Sequence, residues 1–372
     1  MSDSDGTYLS SSLVPDEHIQ KALFSTTSRL ADHYRTRDTL VTQVRAGLHD
    51  RSATLRTSES PVSRSAYVVA FRTPPYTGEG AGVIIPDYSY AADSFCNYLS
   101  VLFGKRFDNH GLLEGSGFFR LVDLASMNAV CTPTLPHNSH KPRVDFSTDL
   151  NLGTLARMHS LFAFASLDVR FLQHFRTAAK FYAQALRAWE QDAEAAYLDL
   201  VTAGEVLSNF FEYDKYLLLD EEAEKMVALI RKHVPNGDDV AGKFASKLRA
   251  IKKRFVRTIL NFVTPDFFER TESTYGNGKF DLSTFERTIG AAYDLRSRHL
   301  HTGAPFGFWV CRLTNGGNEE VQTGLPVDQD ADLAKALARA PTLVGLERVI
   351  RFCLLRFAEQ NGAYDPIEIL AS

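Results

Sequence analysis

Cysteine is scarce: Cys96, Cys131, Cys311 and Cys353 are the four in a chain of 372 residues, and no two form a Cys-x-x-Cys pair. That spacing excludes a disulfide framework and a thiolate zinc ribbon. It leaves buried free thiols in a reducing compartment as the reading. A dominant charge sign is lacking too. Lys and Arg number 41 against 45 Asp and Glu, a formal net charge of −4, so no global field attracts nucleic acid and any such site has to be local. No run of about 18 apolar residues occurs, so no transmembrane helix is expected. The opening residues are polar and acidic, without the basic start or apolar core of a signal peptide. Residues 1–14 read as a disordered tail, and the cytoplasm is the default location.

Common catalytic signatures are missing as well. The glycine clusters at 78–82 and 111–117 hold neither Gly-Lys-Ser/Thr nor a strand-to-helix Gly-x-Gly-x-x-Gly, so they read as turns. No Gly-x-Ser-x-Gly elbow is present. Cys131, His137 and His140 lack zinc-ligand spacing, so neither a metal nor a cofactor is expected.

What is present is ordinary globular material, 44% hydrophobic and 23% charged, in a length that suggests about two domains at roughly 150 residues each. Residues 15–130 read as an α+β module of no recognisable type. A helix is expected from Pro15, with breaks, to about Leu48. A strand follows at 66–71, a turn at Pro74, Pro75 and Gly78, and a returning strand at 83–85. A helix at 87–103 carries Phe95, Leu99 and Leu102 at helical spacing, and a short apolar segment spans 118–124. Residues 131–149, rich in proline and polar side chains, read as a linker.

From residue 150 the periodicity changes. Five apolar stripes with i, i+3/i+4 spacing run through 171–189, 197–211, 244–262, 282–293 and 343–357, the signature of amphipathic helices packing together. Residues 150–365 therefore read as an all-α helical bundle, with a Gly/Pro-rich loop or hairpin inserted at 302–331. Its expected core includes Phe175, Tyr182, Leu207, Phe255, Ile289, Ile350 and Leu354. The fold class is an α+β N-terminal module followed by an all-α helical bundle, mainly α overall.

The fourth stripe ends on the most suggestive string, residues 292–303. Arg296, Arg298, His299 and His301 crowd the last turn before Gly303, a natural C-cap. One reading is a helix end charged to suit the macrodipole. The other takes Arg296 and His301 as an Arg-x4-His pair. An imidazole moves protons near neutral pH, and a guanidinium grips phosphate bidentately and stabilises developing charge. Together they suit cleavage of an RNA phosphodiester by its own 2′-hydroxyl, with no metal. Five residues at 100° each set the two side chains about 140° apart on a straight helix. They meet only if the helix ends or bends between them, or if a second chain contributes.

Tyr293, Leu295, Arg296, Ser297, His301 and Gly303 fit the pattern Tyr, hydrophobic, Arg, polar, then His followed by Gly. In this, the chain resembles the HEPN superfamily, in particular its Apea-like group. Thr202, Ala203, Gly204 and Glu205 with Val206 and Leu207 resemble that family's second core helix, and the aromatic stripe at 171–189 its first. The resemblance covers about residues 150–360. One departure is the long segment between His301 and the last helix. The resemblance implies a HEPN-like bundle that cleaves or binds RNA, commonly a homodimer with facing motifs, acting as a toxin or effector in defence or stress. It implies Arg296 as the phosphate-binding residue, His301 as the general acid/base and Ser297 as the polar motif position. Arg298 and His299 lie close enough to be substrate contacts. A regulatory partner is left unspecified.

A second cluster, Lys243, Lys247, Arg249, Lys252, Lys253, Arg254 and Arg257, reads either as a solvated helix face or as an RNA-tracking surface. The rival to the ribonuclease reading is a non-catalytic interaction module or a nucleotide- or RNA-binding one.

Overall fold

A short strand in which alternate side chains face inward starts the described chain. In β1 (Ile19–Thr26), Gln20, Ala22 and Phe24 are buried while Ile19, Lys21 and Leu23 are half-buried, the period of two that a strand imposes. The computed structural model describes residues 19–44, 64–73, 88–115, 118–128, 131–144, 146, 148–162, 167–219, 221–247, 250–311 and 318–366. The expected tail at 1–14, the turn at 74–78 and the returning strand at 83–85 lie outside them.

Strands β2 (Tyr34–Arg35), β3 (Thr39–Gln43), β4 (Ser65–Arg72), β5 (Phe107–Gly115) and β6 (Phe118–Phe119) complete a six-stranded antiparallel sheet of order β2-β3-β4-β1-β5-β6. The helix expected between Pro15 and Leu48 is therefore corrected to strands over its described part. β1 is central, paired with β4 on one side and β5 on the other, and those long-range ladders override any local helical tendency. Helix α1 (Ser89–Phe103) packs on the sheet: Phe24 meets Tyr67 at 5.4 Å, Phe95 at 5.8 Å and Phe107 at 6.0 Å between ring centroids. Gly104, at φ 61°, closes α1 in the left-handed region that favours glycine.

The helical half contains α2 (His159–Phe162), α3 (Val169–Ala188), α4 (Ala193–Ser208), α5 (Glu221–His233), α6 (Gly237–Lys247), α7 (Ile251–Phe262), α8 (Pro265–Glu269), α9 (Leu282–Thr302), α10 (Gly307–Val310), α11 (Ala331–Arg339) and α12 (Leu343–Gln360). Sequence sets the starts of the long helices. Asp168, Asp192, Asp281, Asp330 and Thr342 each accept a backbone N–H of the first turn of α3, α4, α9, α11 and α12. All seven expected core residues of the bundle are buried.

The basic run at 243–257 is not one helix. Its described members fall on α6 and α7, with Ala250 preceding α7, and Arg249 lies outside the described residues. Its apolar stripe divides accordingly. Phe255, Ile259 and Phe262 enter the main core, whereas Phe244 joins a small separate cluster with Leu219, Ala223 and Val227. Of the segment at 302–331, the described part holds α10 and a single isolated bridge from Val321 to Pro341. The buried Glu320 ties it to the core, accepting from Thr271 Oγ1 at 2.7 Å and Phe280 N at 2.8 Å and pairing with Arg348 at 2.5 Å.

The two halves share one continuous apolar core. Tyr98 of α1 meets Phe175 of α3 at 5.6 Å. α12 is buried along most of its length and carries three buried charges, Glu347, Arg348 and Arg351. Arg351 donates to the carbonyls of Val101 and Leu102 at 2.9 and 2.7 Å, satisfying the C-terminal end of α1. Residues 131–149, expected as a linker, are packed into this junction: His137, Asn138 and Arg143 are buried.

Candidate functional site

α9 presents two different faces. Phe285, Ile289, Ala292 and Tyr293 point into the bundle and are buried. Arg296 continues that face by one turn. Its Nη2 donates to Glu205 Oε2 of α4 at 3.1 Å, with the two side chains 25% and 14% exposed. Its guanidinium carbon lies 5.6 Å from the Tyr293 ring centroid. Burial raises the Tyr293 hydroxyl above its ordinary value, and the Glu205 carboxylate adds to that. Arg296 thus closes the bundle end as an ion-paired, ring-stacked group.

The second face is polar and follows the spacing i, i+4, i+8, i+11, i+15: Glu286, Gly290, Asp294, Ser297 and His301. All five line one groove of about 1320 Å³, walled by α7, α9 and α11. A Cβ at Gly290 would meet Lys252 Cε at 3.5 Å. That is ordinary contact, and Lys252 lies across α9 at this point and donates to both Asp294 oxygens at 2.7 Å. Seven Lys and Arg side chains and three carboxylates line the groove, a formal excess of four positive charges on a chain whose net charge is −4.

The helix runs unbroken through Thr302, and Gly303 at φ 70° caps it by donating to His299 O at 2.8 Å. No end or bend separates Arg296 from His301, so within one chain the pair diverges by about 140°. The structure brings together His301, Ser297 and Arg298, and turns Arg296 away from them. Arg298 also pairs with Asp330, the residue that caps α11. His299 lies on the other flank, with Nδ1 3.1 Å from the Ala304 carbonyl and its ring edge-on to Phe306 at 5.3 Å. It positions the chain turn after α9. The side chain of His301 is exposed.

Arg287, Lys335 and Arg339 also line the groove and were not among the residues singled out from sequence. Arg287 was detectable: the polar face of α9 keeps helical spacing as regular as its apolar face. Lys335 and Arg339 were not, because their place depends on how α11 packs against α9.

Outside the groove, His137 is fully buried against Trp189, 4.7 Å between ring centroids, and neither ring nitrogen has a hydrogen-bond partner among the described residues. Burial, reinforced by Arg106, Arg143 and Lys105, pushes it well below the ordinary histidine range. Among the described residues, no three His, Cys, Asp or Glu side chains are grouped to hold a metal ion, and no helix is long and apolar enough to cross a membrane. No protein-family model, curated protein or solved structure matches the chain.

Proposed function

We propose that the helical half is a metal-independent endoribonuclease of the HEPN kind, a cytoplasmic effector of defence or stress, with His301 as its general acid/base. The observation that supports this is the position of His301: beside Ser297 and Arg298, in a groove with an excess of positive charge. In the reaction, the ribose 2′-oxygen attacks the adjacent phosphorus as His301 takes its proton. The O2′–P bond forms, the P–O5′ bond breaks, and a proton returns to the leaving 5′-oxygen. The products are a 2′,3′-cyclic phosphate and a 5′-hydroxyl. The cations of such a groove stabilise the charge that develops on the phosphoryl oxygens.

Arg296 completes the pair only from a second chain, since α9 is straight between the two residues. The active unit is then a homodimer in which identical patches face each other about a two-fold axis. The test is incubation of RNA with the wild type and His301→Ala in EDTA, followed by analysis of the fragment ends.

A specific observation favours a second reading, a non-catalytic RNA-binding bundle. Arg296 is ion-paired with Glu205 and so has a structural task of its own. Binding without cleavage across several RNAs selects this reading.

A further inference from the structure

Most cations of the groove already have partners. Lys252 holds Asp294, Lys335 holds Asp332 at 3.2 Å, Arg298 holds Asp330, and Lys253 donates to the Leu219 carbonyl. Three arginines differ. Arg257 of α7, Arg287 of α9 and Arg339 of α11 line the same groove without a hydrogen-bond or ion-pair partner among the described residues. The buried Arg143, Arg348 and Arg351 are each held by several acceptors; the three groove arginines are exposed, and what sets them apart from other exposed arginines such as Arg176 is that three helices bring them to one groove.

Three exposed guanidinium groups, unpaired among the described residues, share one concave surface. The neighbouring carboxylates Asp294 and Asp332 are committed to lysines, leaving Glu286 as the one uncommitted acid in the lining. Exposed in this way, the three guanidinium groups are open to an incoming oxyanion. Each planar fork fits two phosphate oxygens. The groove volume, about 1320 Å³, exceeds the roughly 300–1,000 Å³ of small-molecule pockets, which suits a polymer better than a mononucleotide. The apolar part of the lining is aliphatic, including Leu217, Ile251, Val256 and Leu260, and contains no Phe, Tyr or Trp. Unpaired bases are held by stacking on aromatic rings or guanidinium planes; this lining offers no ring, and a guanidinium that grips phosphate through its planar fork is not free to carry a base.

Resting on the RNA reading above, we infer that Arg257, Arg287 and Arg339 form a three-helix phosphate grip, distinct from Arg296, that holds the backbone of base-paired RNA. The bases stay in the duplex, binding is independent of sequence, and the grip presents a backbone phosphate to His301.

The test uses the full-length chain carrying His301→Ala, in EDTA, so that binding is read without cutting. Fluorescence anisotropy is recorded with a labelled RNA hairpin of about 20 base pairs and with an unpaired RNA of equal length, at several salt concentrations. Arg257→Ala, Arg287→Ala and Arg339→Ala should each weaken hairpin binding about tenfold and flatten the plot of log affinity against log salt by about one. Arg176→Ala, on the exposed face of α3 outside the groove, should leave both unchanged. The hairpin should bind at least about tenfold more tightly than the unpaired strand. Parent-like binding by all three groove variants overturns the grip, even if the wild type cleaves RNA. Tighter binding of the unpaired strand overturns the base-paired assignment. Arginine-dependent hairpin binding by a wild type that never cleaves supports the grip and defeats the nuclease reading. Thermal melts of each variant check that these exposed substitutions leave the fold intact.

Discussion

Glu347→Ala probes the junction between sheet and bundle. Arg143 Nη1 and Nη2 donate to the two Glu347 oxygens at 2.9 and 2.7 Å, with both side chains 1% exposed. The Tyr182 hydroxyl donates to the same carboxylate. Burial foremost, and then Glu347, drives that hydroxyl well above its ordinary value, so it stays a proton donor. Alanine at 347 removes the acceptor from both groups. Breaking a buried ion pair on one side costs about 3–5 kcal/mol, and a stranded hydroxyl about 1–3 kcal/mol. Arg143 keeps Glu272 at 2.6 Å, which offsets part of the loss. A net destabilisation of about 3 kcal/mol is expected, which lowers Tm by roughly 6–12 °C at about 2–4 °C per kcal/mol. Tyr182→Phe, which removes one hydrogen bond and leaves the ion pair, should cost about 1 kcal/mol. Urea unfolding and calorimetry at pH 7 measure both. A Glu347→Ala protein within about 1 kcal/mol of wild type would refute the view that this buried pair holds Arg143 in the junction.

Three other outcomes follow from the same coordinates. A Cβ at Gly345 would lie 2.2 Å from the Glu320 carbonyl oxygen, so Gly345→Ala should cost about 1–3 kcal/mol by overpacking, read as a lower urea midpoint with an unchanged m-value. Burial, then Arg143, brings Lys105 down from 10.5 to about 7. Between those values the unfolded chain binds the extra proton, so stability should rise with pH across that window, with the full penalty below it. Lys105→Met should flatten the rise, and identical pH profiles for the two proteins would count against the assignment. If Arg296 and His301 act in trans, light scattering should report twice the chain mass of 41.5 kDa; a monomer that still cleaves RNA would contradict trans assembly alone.

The helical half was legible because its signals are local. Apolar stripes at 3.6-residue spacing mark the long helices α3, α4, α7, α9 and α12 without reference to their neighbours, whereas α5 and α11 carry none of those stripes. The sheet was harder. In 19–43, strand identity comes from β4 and β5, which pair with β1 from more than 35 residues away. The basic run from Lys243 to Arg257 was visible as charge, but the break before α7 depends on two separate cores claiming Phe244 and Phe255. At the site, the string around Arg296 and His301 stood out in sequence, and so did its geometric problem. The direction each side chain takes did not. Glu205 and Tyr293 hold Arg296 on the core face, while Lys252, Arg339 and the approach of α11 create the groove on the other.

The central claim is that His301, in its cationic groove, cuts RNA by proton transfer. The direct measurement is single-turnover cleavage of a structured RNA in EDTA by the wild type and by His301→Ala, with chemical analysis of the new ends. The account predicts 2′,3′-cyclic phosphate ends from the wild type and a rate about 10²–10⁴-fold lower for the variant. Cleavage by His301→Ala at the wild-type rate, or no cleavage of any RNA by the wild type, would contradict it.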